Sequence, residues 1–231
     1  MKIRPVSTPC TSEVKMRPLL QIALDELTME NALKVLSGGV DEIVDIIECG
    51  TVLIGSEGRK VVQQMRERYP HKKLVADFKI ADSGKVMAGM LLDGKPDYLT
   101  VICAANQKTM KAVVDEIKDR NLTTEAQMEL YGNWTFEELE QWKKIGINHV
   151  VLHHSVDEKD GWTQKELDLV RKLCEHDIHV TVTGGISYES IELFKGLPIF
   201  CIIAGRSIRK AENPAQEAQR MKDRIIEIWG N

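Results

Sequence analysis

The sequence has no long apolar run. Its hydrophobic stretches fall well short of the ~18 residues that a membrane-spanning helix needs, so no membrane partner is expected. It has no basic stripe either. Lys and Arg number 31 against 35 Asp and Glu, a formal charge of −4, which argues against a nucleic-acid partner. Cysteine is sparse: Cys10, Cys49, Cys103, Cys174 and Cys201 are odd in number and form no Cys-x-x-Cys. Four of them sit within apolar runs, and the expectation is reduced thiols in a cytoplasmic protein without a zinc site. Residues 1–17 carry Lys, Arg and Glu but no apolar stretch of signal-peptide type, and are read as a loosely ordered N-terminal extension. No low-complexity linker and no close internal repeat divides residues 18–231.

What is present is alternation. The chain has 231 residues, 43% hydrophobic and 29% charged, ordinary for one large globular domain. Eight β-rich runs recur along it: LLQIALD (19–25), EIVDIIECG (42–50), KLVADFKIA (73–81), YLTVICA (98–104), EAQMELYG (125–132), HVVLHHS (149–155), HVTVTGG (179–185) and IFCIIAG (199–205). Helical segments separate them. TMENALKVLSGG opens on a Thr cap and closes on Gly, and Thr135 with Glu138 makes a capping box. Leu167, Val170, Leu173 and Cys174 keep helical spacing, and Asn213 precedes Pro214 at a first helical position. Eight β–α units predict an α/β fold, a single-domain (β/α)₈ TIM barrel over residues 18–231. A doubly wound open sheet is the alternative; the Gly-rich ends of the last two strands favour the barrel.

Strand alternation then sorts the polar residues. If Asp25 points into the barrel, so do Ala23 and Gln21, while Leu20, Ile22 and Leu24 face the helices. The same parity turns Glu48, Asp77, Lys79, Gln127, Glu129, His153, Thr181 and Thr183 inward. Most lie at C-terminal strand ends, where barrel enzymes build their sites. Any one of them alone reads as a structural ion pair; a set at equivalent positions on different strands does not. Carboxylates facing one point repel unless a cation lies between them, and hard oxygen ligands suit Mg²⁺. Lys79 could balance their charge or stabilise an oxyanion. The endings TGGI (183–186) and AGRSI (204–208) suit a phosphate, with Gly185 and Gly205 allowing close approach and Arg206 supplying charge. Asp45 is expected to face the helices, with no partner visible in the sequence. The four Trp residues, Trp134, Trp142, Trp162 and Trp229, read as packing.

The segments ALD (23–25), DIIECGT (45–51), ADFKIADSG (76–84), ELYGNW (129–134), VTVTGG (180–185) and IAGRSI (203–208) resemble the orotidine-5′-monophosphate decarboxylase superfamily. Its mark is Asp-x-Lys-x-x-Asp, here Asp77, Lys79 and Asp82. Within it the chain is most similar to the 3-keto-L-gulonate-6-phosphate decarboxylases, whose sisters are the 3-hexulose-6-phosphate synthases. The resemblance implies Mg²⁺-dependent conversion of 3-keto-L-gulonate 6-phosphate to L-xylulose 5-phosphate and CO₂ through a metal-stabilised enediolate, in L-ascorbate catabolism. It implies Glu48 and Asp77 as metal ligands and Lys79 as the partner of the enediolate. Asp82 would reach into a neighbouring subunit's site, so that a homodimer shares its sites. Asp25, Thr51 and Glu129 would surround the sugar, His153 would help deliver the proton, and Gly185, Gly205 and Arg206 would hold the phosphate.

One position departs. The decarboxylases carry an arginine where Val156 stands, and the synthases an aliphatic residue. Glu129, Thr183 and ELYGNW are decarboxylase-like, which makes decarboxylation the first expectation. The alternative is condensation of formaldehyde with D-ribulose 5-phosphate. His154 is a possible stand-in cation, but alternation points it outward. A pentose-phosphate epimerase is disfavoured by the lack of a metal-binding His pair at strand ends, and a sugar-phosphate sensor by the filled metal and phosphate positions.

Overall fold

A computed structural model describes residues 17–154 and 161–230; Cys10 and Val156 lie outside the described residues. Every apolar run read as a strand is one: β1 (Leu19–Leu24), β2 (Ile46–Cys49), β3 (Lys73–Ile80), β4 (Tyr98–Ile102), β5 (Glu125–Leu130), β6 (His149–His153), β7 (His179–Thr183) and β8 (Cys201–Ala204). Each pairs in parallel with the next, and β8 pairs with β1, closing the expected barrel. The strands end one or two residues before the predicted limits, because their last residues leave the ladder to form the mouth. One boundary is wrong by more. Residues 42–45 are not strand: Val40–Ile43 forms α2, and Val40 and Val44, four apart, are both buried, which is helical spacing.

The remaining helices are α1 (Met29–Leu36), α3 (Thr51–Glu57), α4 (Lys60–Arg68), α5 (Gly84–Leu92), α6 (Gln107–Asp119), α7 (Phe136–Ile145), α8 (Gln164–Cys174), α9 (Arg206–Arg209) and α10 (Pro214–Trp229). Between β7 and β8 the connection is a 3₁₀ turn, Ser190–Phe194. The predicted caps are in place: Thr28 and Asn213 accept from Asn31 and Gln216 backbone N–H groups, and Thr135 with Glu138 closes a capping box. Thr163 and Glu166 close a second one on α8.

Leu20, Ile22 and Leu24 are buried against the helices, while Ala23 packs with Val151 and Ile203 inside the barrel, as the alternation requires. Asp45 gains a partner that local sequence could not show. It accepts from the Leu20 backbone N–H at 2.8 Å and pairs with Lys222 of α10, tying the last helix to the start of β1. β3 departs from regular geometry. Its register against β4 shifts between Ala76 and Ile80, and Lys79 adopts φ +52. The Lys79 N–H is taken up by the Thr100 hydroxyl at 2.8 Å.

Gln127 and Thr181 point inward as expected but lie low in the barrel rather than at its mouth. There they surround His149, which is fully buried. His149 Nε2 is 2.7 Å from the Thr181 hydroxyl, and the Gln127 amide is 3.3 Å from Nδ1. Glu125 and His179 stand near it at the strand starts, with potential ligand atoms within 4.8 Å of one another. His149 is already engaged by its polar neighbours, so we read this group as the packed floor of the barrel. Burial, and then the charge of His179, lower the His149 pKa to about 3, against 6.5 in a free side chain. Between these values the unfolded chain binds a proton that the folded chain excludes, so the stability that neutral His149 contributes is full above pH 6.5 and is lost as pH drops toward 3. In denaturant unfolding, the stability of the wild type relative to His149→Gln should fall by up to about 1.4 kcal/mol per pH unit as pH drops across this window.

Candidate active site

The C-terminal strand ends open into a cavity of about 620 Å³. It is lined by Asp25, Glu48, Thr51, Asp77, Lys79, Glu129, His153, Thr183, Gly185, Gly205 and Arg206, which are all the predicted site residues except Asp82. Asp82 is exposed beyond the end of β3 and does not line this cavity.

At its base the carboxylates crowd. Glu48 and Asp77 are 6% and 4% exposed, and Glu129 is 4% exposed. Glu48 accepts from the Gln21 amide at 2.5 Å. Asp77 accepts from Thr51 and Thr100 hydroxyls at 2.8 Å each and from the Lys79 ammonium at 2.5 Å. Lys79 also donates to the Thr51 hydroxyl at 3.0 Å and lies 4.0 Å from Glu129. The bulge in β3 brings this about: with Lys79 left-handed, its side chain turns back onto Asp77 two residues earlier. Ser83 has φ +53, so a second non-glycine left-handed residue sits just beyond, and such strain collects at functional sites.

Burial, reinforced by the Asp77 and Asp25 charges, pushes the Glu48 carboxyl well above its ordinary range. Burial also raises Glu129, with Asp77 adding to it and His153 and Lys79 opposing. Burial works against the Lys79 ammonium, but Glu129 and Asp77 outweigh it, so its pKa rises and it stays charged. One ammonium thus serves several buried acids. The Oε2 atom of Glu129 is buried with no hydrogen-bond partner. This surplus of hard oxygen donors fits a divalent cation such as Mg²⁺.

The opposite wall is built differently. Thr183, Gly184 and Gly185 form one rim, and Gly205 with the exposed Arg206 the other. Gly184, at φ +99, leaves no room for a side chain: a Cβ there would lie 1.8 Å from the His154 carbonyl oxygen. Trp162 donates to the Gly184 carbonyl at 2.8 Å and holds the turn in place. Sequence reasoning missed Arg209. Only 7% exposed, it lines the cavity from α9, donates to Glu26 at 2.5 Å and reaches the Asp25 carboxylate at 3.9 Å. Its helix is four residues long and carries no periodicity that would have singled it out. His154 points away, as predicted, and pairs with Glu166 of α8 at 2.7 Å.

Comparison with known proteins places the chain that carries this cavity in a family. The profile of the Orotidine 5'-phosphate decarboxylase / HUMPS family matches residues 18–221. The chain belongs to this family. It is 42% identical to the 3-keto-L-gulonate-6-phosphate decarboxylase of Salmonella typhi over 92% of this chain and 99% of that one. The structure of a KGPDC from Streptococcus mutans in complex with D-R5P superposes with a TM-score of 0.90 at 40% identity, covering 93% and 100% of the two chains. A 3-hexulose-6-phosphate synthase from Salmonella typhimurium gives 0.81 at 27% identity, covering 90% and 99%. As a member of the family with decarboxylases for relatives, the chain is an enzyme of the carboxy-lyase class.

The two rim glycines should respond differently to substitution. Gly184→Ala should cost about 3 kcal/mol or more of stability through its backbone clash. Gly185→Ala, with φ +62 but no atom within 4 Å of the new Cβ, should cost only about 1–2 kcal/mol. Urea melts of the two variants measure the contrast.

Proposed function

We propose that this carboxy-lyase converts 3-keto-L-gulonate 6-phosphate to L-xylulose 5-phosphate and CO₂. The observation that carries the reading is the Lys79 ammonium, kept charged at the base of the cavity within 4.0 Å of both Asp77 and Glu129. Loss of CO₂ from a β-keto acid moves the bonding electrons onto the neighbouring carbonyl oxygen. A fixed cation at that oxygen stabilises the enediolate as its charge develops. Asp25, Thr51, Glu129 and Thr183 surround the sugar hydroxyls. Gly185, Gly205 and Arg206 take the phosphate at the other end, so that binding energy far from the reacting carbon orients it. Water positioned by His153 then gives the carbon the proton that replaces CO₂.

Glu48 and Asp77 are the residues that would hold Mg²⁺. When bound, it would supply further charge stabilisation to the substrate oxygens. Leu27, Val52, Val86 and Met90 are large apolar residues left exposed, on the β1–α1 loop, α3 and α5. With Asp82 exposed just before α5, they support a homodimer in which Asp82 completes the neighbouring site. The four described cysteines are free, in keeping with a cytoplasmic enzyme. No described helix is long and apolar enough to cross a membrane. L-Ascorbate catabolism is the setting this substrate would serve.

Val156 favours a second reading, aldol condensation of formaldehyde with D-ribulose 5-phosphate, which would use the same enediolate. The two are separated by measuring CO₂ release and condensation in parallel, with Mg²⁺ and with EDTA. Metal-dependent CO₂ release well above the condensation rate is expected. Condensation in excess would replace the decarboxylase with the synthase. Asp77→Asn and Lys79→Ala should each lower turnover by about a thousandfold while keeping native circular dichroism. Near-normal turnover in either would remove the basis of the site assignment.

A further inference from the structure

Tyr131 follows β5 directly and lies outside the cavity lining. Its hydroxyl is 2.7 Å from Nδ1 of His153, and the two rings are 5.2 Å apart. Its backbone is anchored on both sides by Cys103: the Tyr131 N–H reaches Sγ at 3.2 Å, and the thiol donates to the Tyr131 carbonyl at 2.9 Å. The phenol is therefore placed by the fold, not by solvent. Glu129 Oε2 is the other group facing Nδ1, at 3.6 Å, too far for a hydrogen bond. Burial, and then the Glu129 charge, raise the phenol's pKa, so its oxygen keeps its hydrogen.

We propose that Tyr131 is a positioning residue, donating its O–H to His153 Nδ1 and so fixing the ring as the tautomer with hydrogen on Nε2. The consequence reaches the cavity that His153 lines. Nε2 is the nitrogen left to face it, and an Nε2–H can hold a water by its oxygen. That leaves the water's own hydrogens directed at the carbon from which CO₂ departs. With hydrogen on Nδ1 instead, Nε2 would accept a hydrogen from the water and turn the water's lone pairs toward the carbon. This inference rests on the reading of His153 as the residue that positions the proton-giving water.

The test begins on the resting protein without substrate, so it does not depend on the identity of the substrate. ¹⁵N-histidine labelling, with His153→Gln to assign the signal, should show Nδ1 unprotonated and Nε2 protonated. Nδ1 found protonated in the wild type would overturn the proposal outright. Tyr131→Phe removes only the hydroxyl. It should move both nitrogens toward the averaged positions of a ring exchanging between tautomers. In the CO₂ assay it should lower kcat about tenfold with KM changed less than about twofold. Unchanged nitrogen signals in Tyr131→Phe would overturn the assignment even if kcat fell. A tautomer change with kcat unaltered would overturn its link to proton delivery. Absence of CO₂ release by the wild type would instead count against the decarboxylase reading and leave the tautomer result standing.

Discussion

The ammonium of Lys79 holds together acids that would otherwise repel one another, and the base of the cavity is arranged around that constraint. Glu48, Asp77 and Glu129 are all nearly inaccessible to water. Burying a charge is costly unless it is paired and hydrogen-bonded, and removing one partner leaves the other stranded. The chain meets this with hydroxyls from Thr51 and Thr100, the amide of Gln21 and one lysine, and it accepts a left-handed backbone at Lys79 to bring them together. The same concentration of negative charge is what a divalent cation and a departing carboxylate would exploit. Stability and chemistry make opposite demands on these groups.

The barrel supplies this arrangement by geometry. Parallel strands end on one face, so each contributes a residue or two to a common mouth: Glu48 from β2, Asp77 and Lys79 from β3, Glu129 from β5, His153 from β6 and Thr183 from β7. Closure of β8 on β1 brings the Arg206 rim opposite the acids. Two ion pairs join distant parts of the chain near this seam. Asp45 with Lys222 ties the last helix to the start of β1, and Arg209 with Glu26 ties α9 to the residues just after the end of β1.

Much of this was legible in the sequence because strand parity is a strict rule. Once Asp25 was set inward, the directions of Gln21, Glu48, Glu129, His153 and Thr183 followed, and the structure keeps each of them. Features that depend on distant or irregular contacts were not legible. The partner of Asp45 lies 177 positions away. Arg209 sits on a helix too short to show a period, and Tyr131, read as part of the fifth β-rich run, lies just beyond the end of β5. VADFKIA reads as a regular strand, yet its bulge decides how closely Lys79 meets Asp77. The segment EIVD reads as β from its branched residues, but burial of Val40 and Val44 draws its start into a helical turn.

The claim that charge balance at Lys79 organises the site is tested most directly by a double-mutant cycle. Unfolding free energies would be measured in EDTA, at fixed protein concentration, for the wild type, Lys79→Met, Asp77→Asn and the double variant. Lys79→Met alone should cost about 3–5 kcal/mol, because it strands the buried acids. Made in the Asp77→Asn background, the same change should cost at least about 1 kcal/mol less, since one repelling charge is already gone. Effects that add within about 0.5 kcal/mol would contradict the account and show that Lys79 and Asp77 are neighbours without being partners.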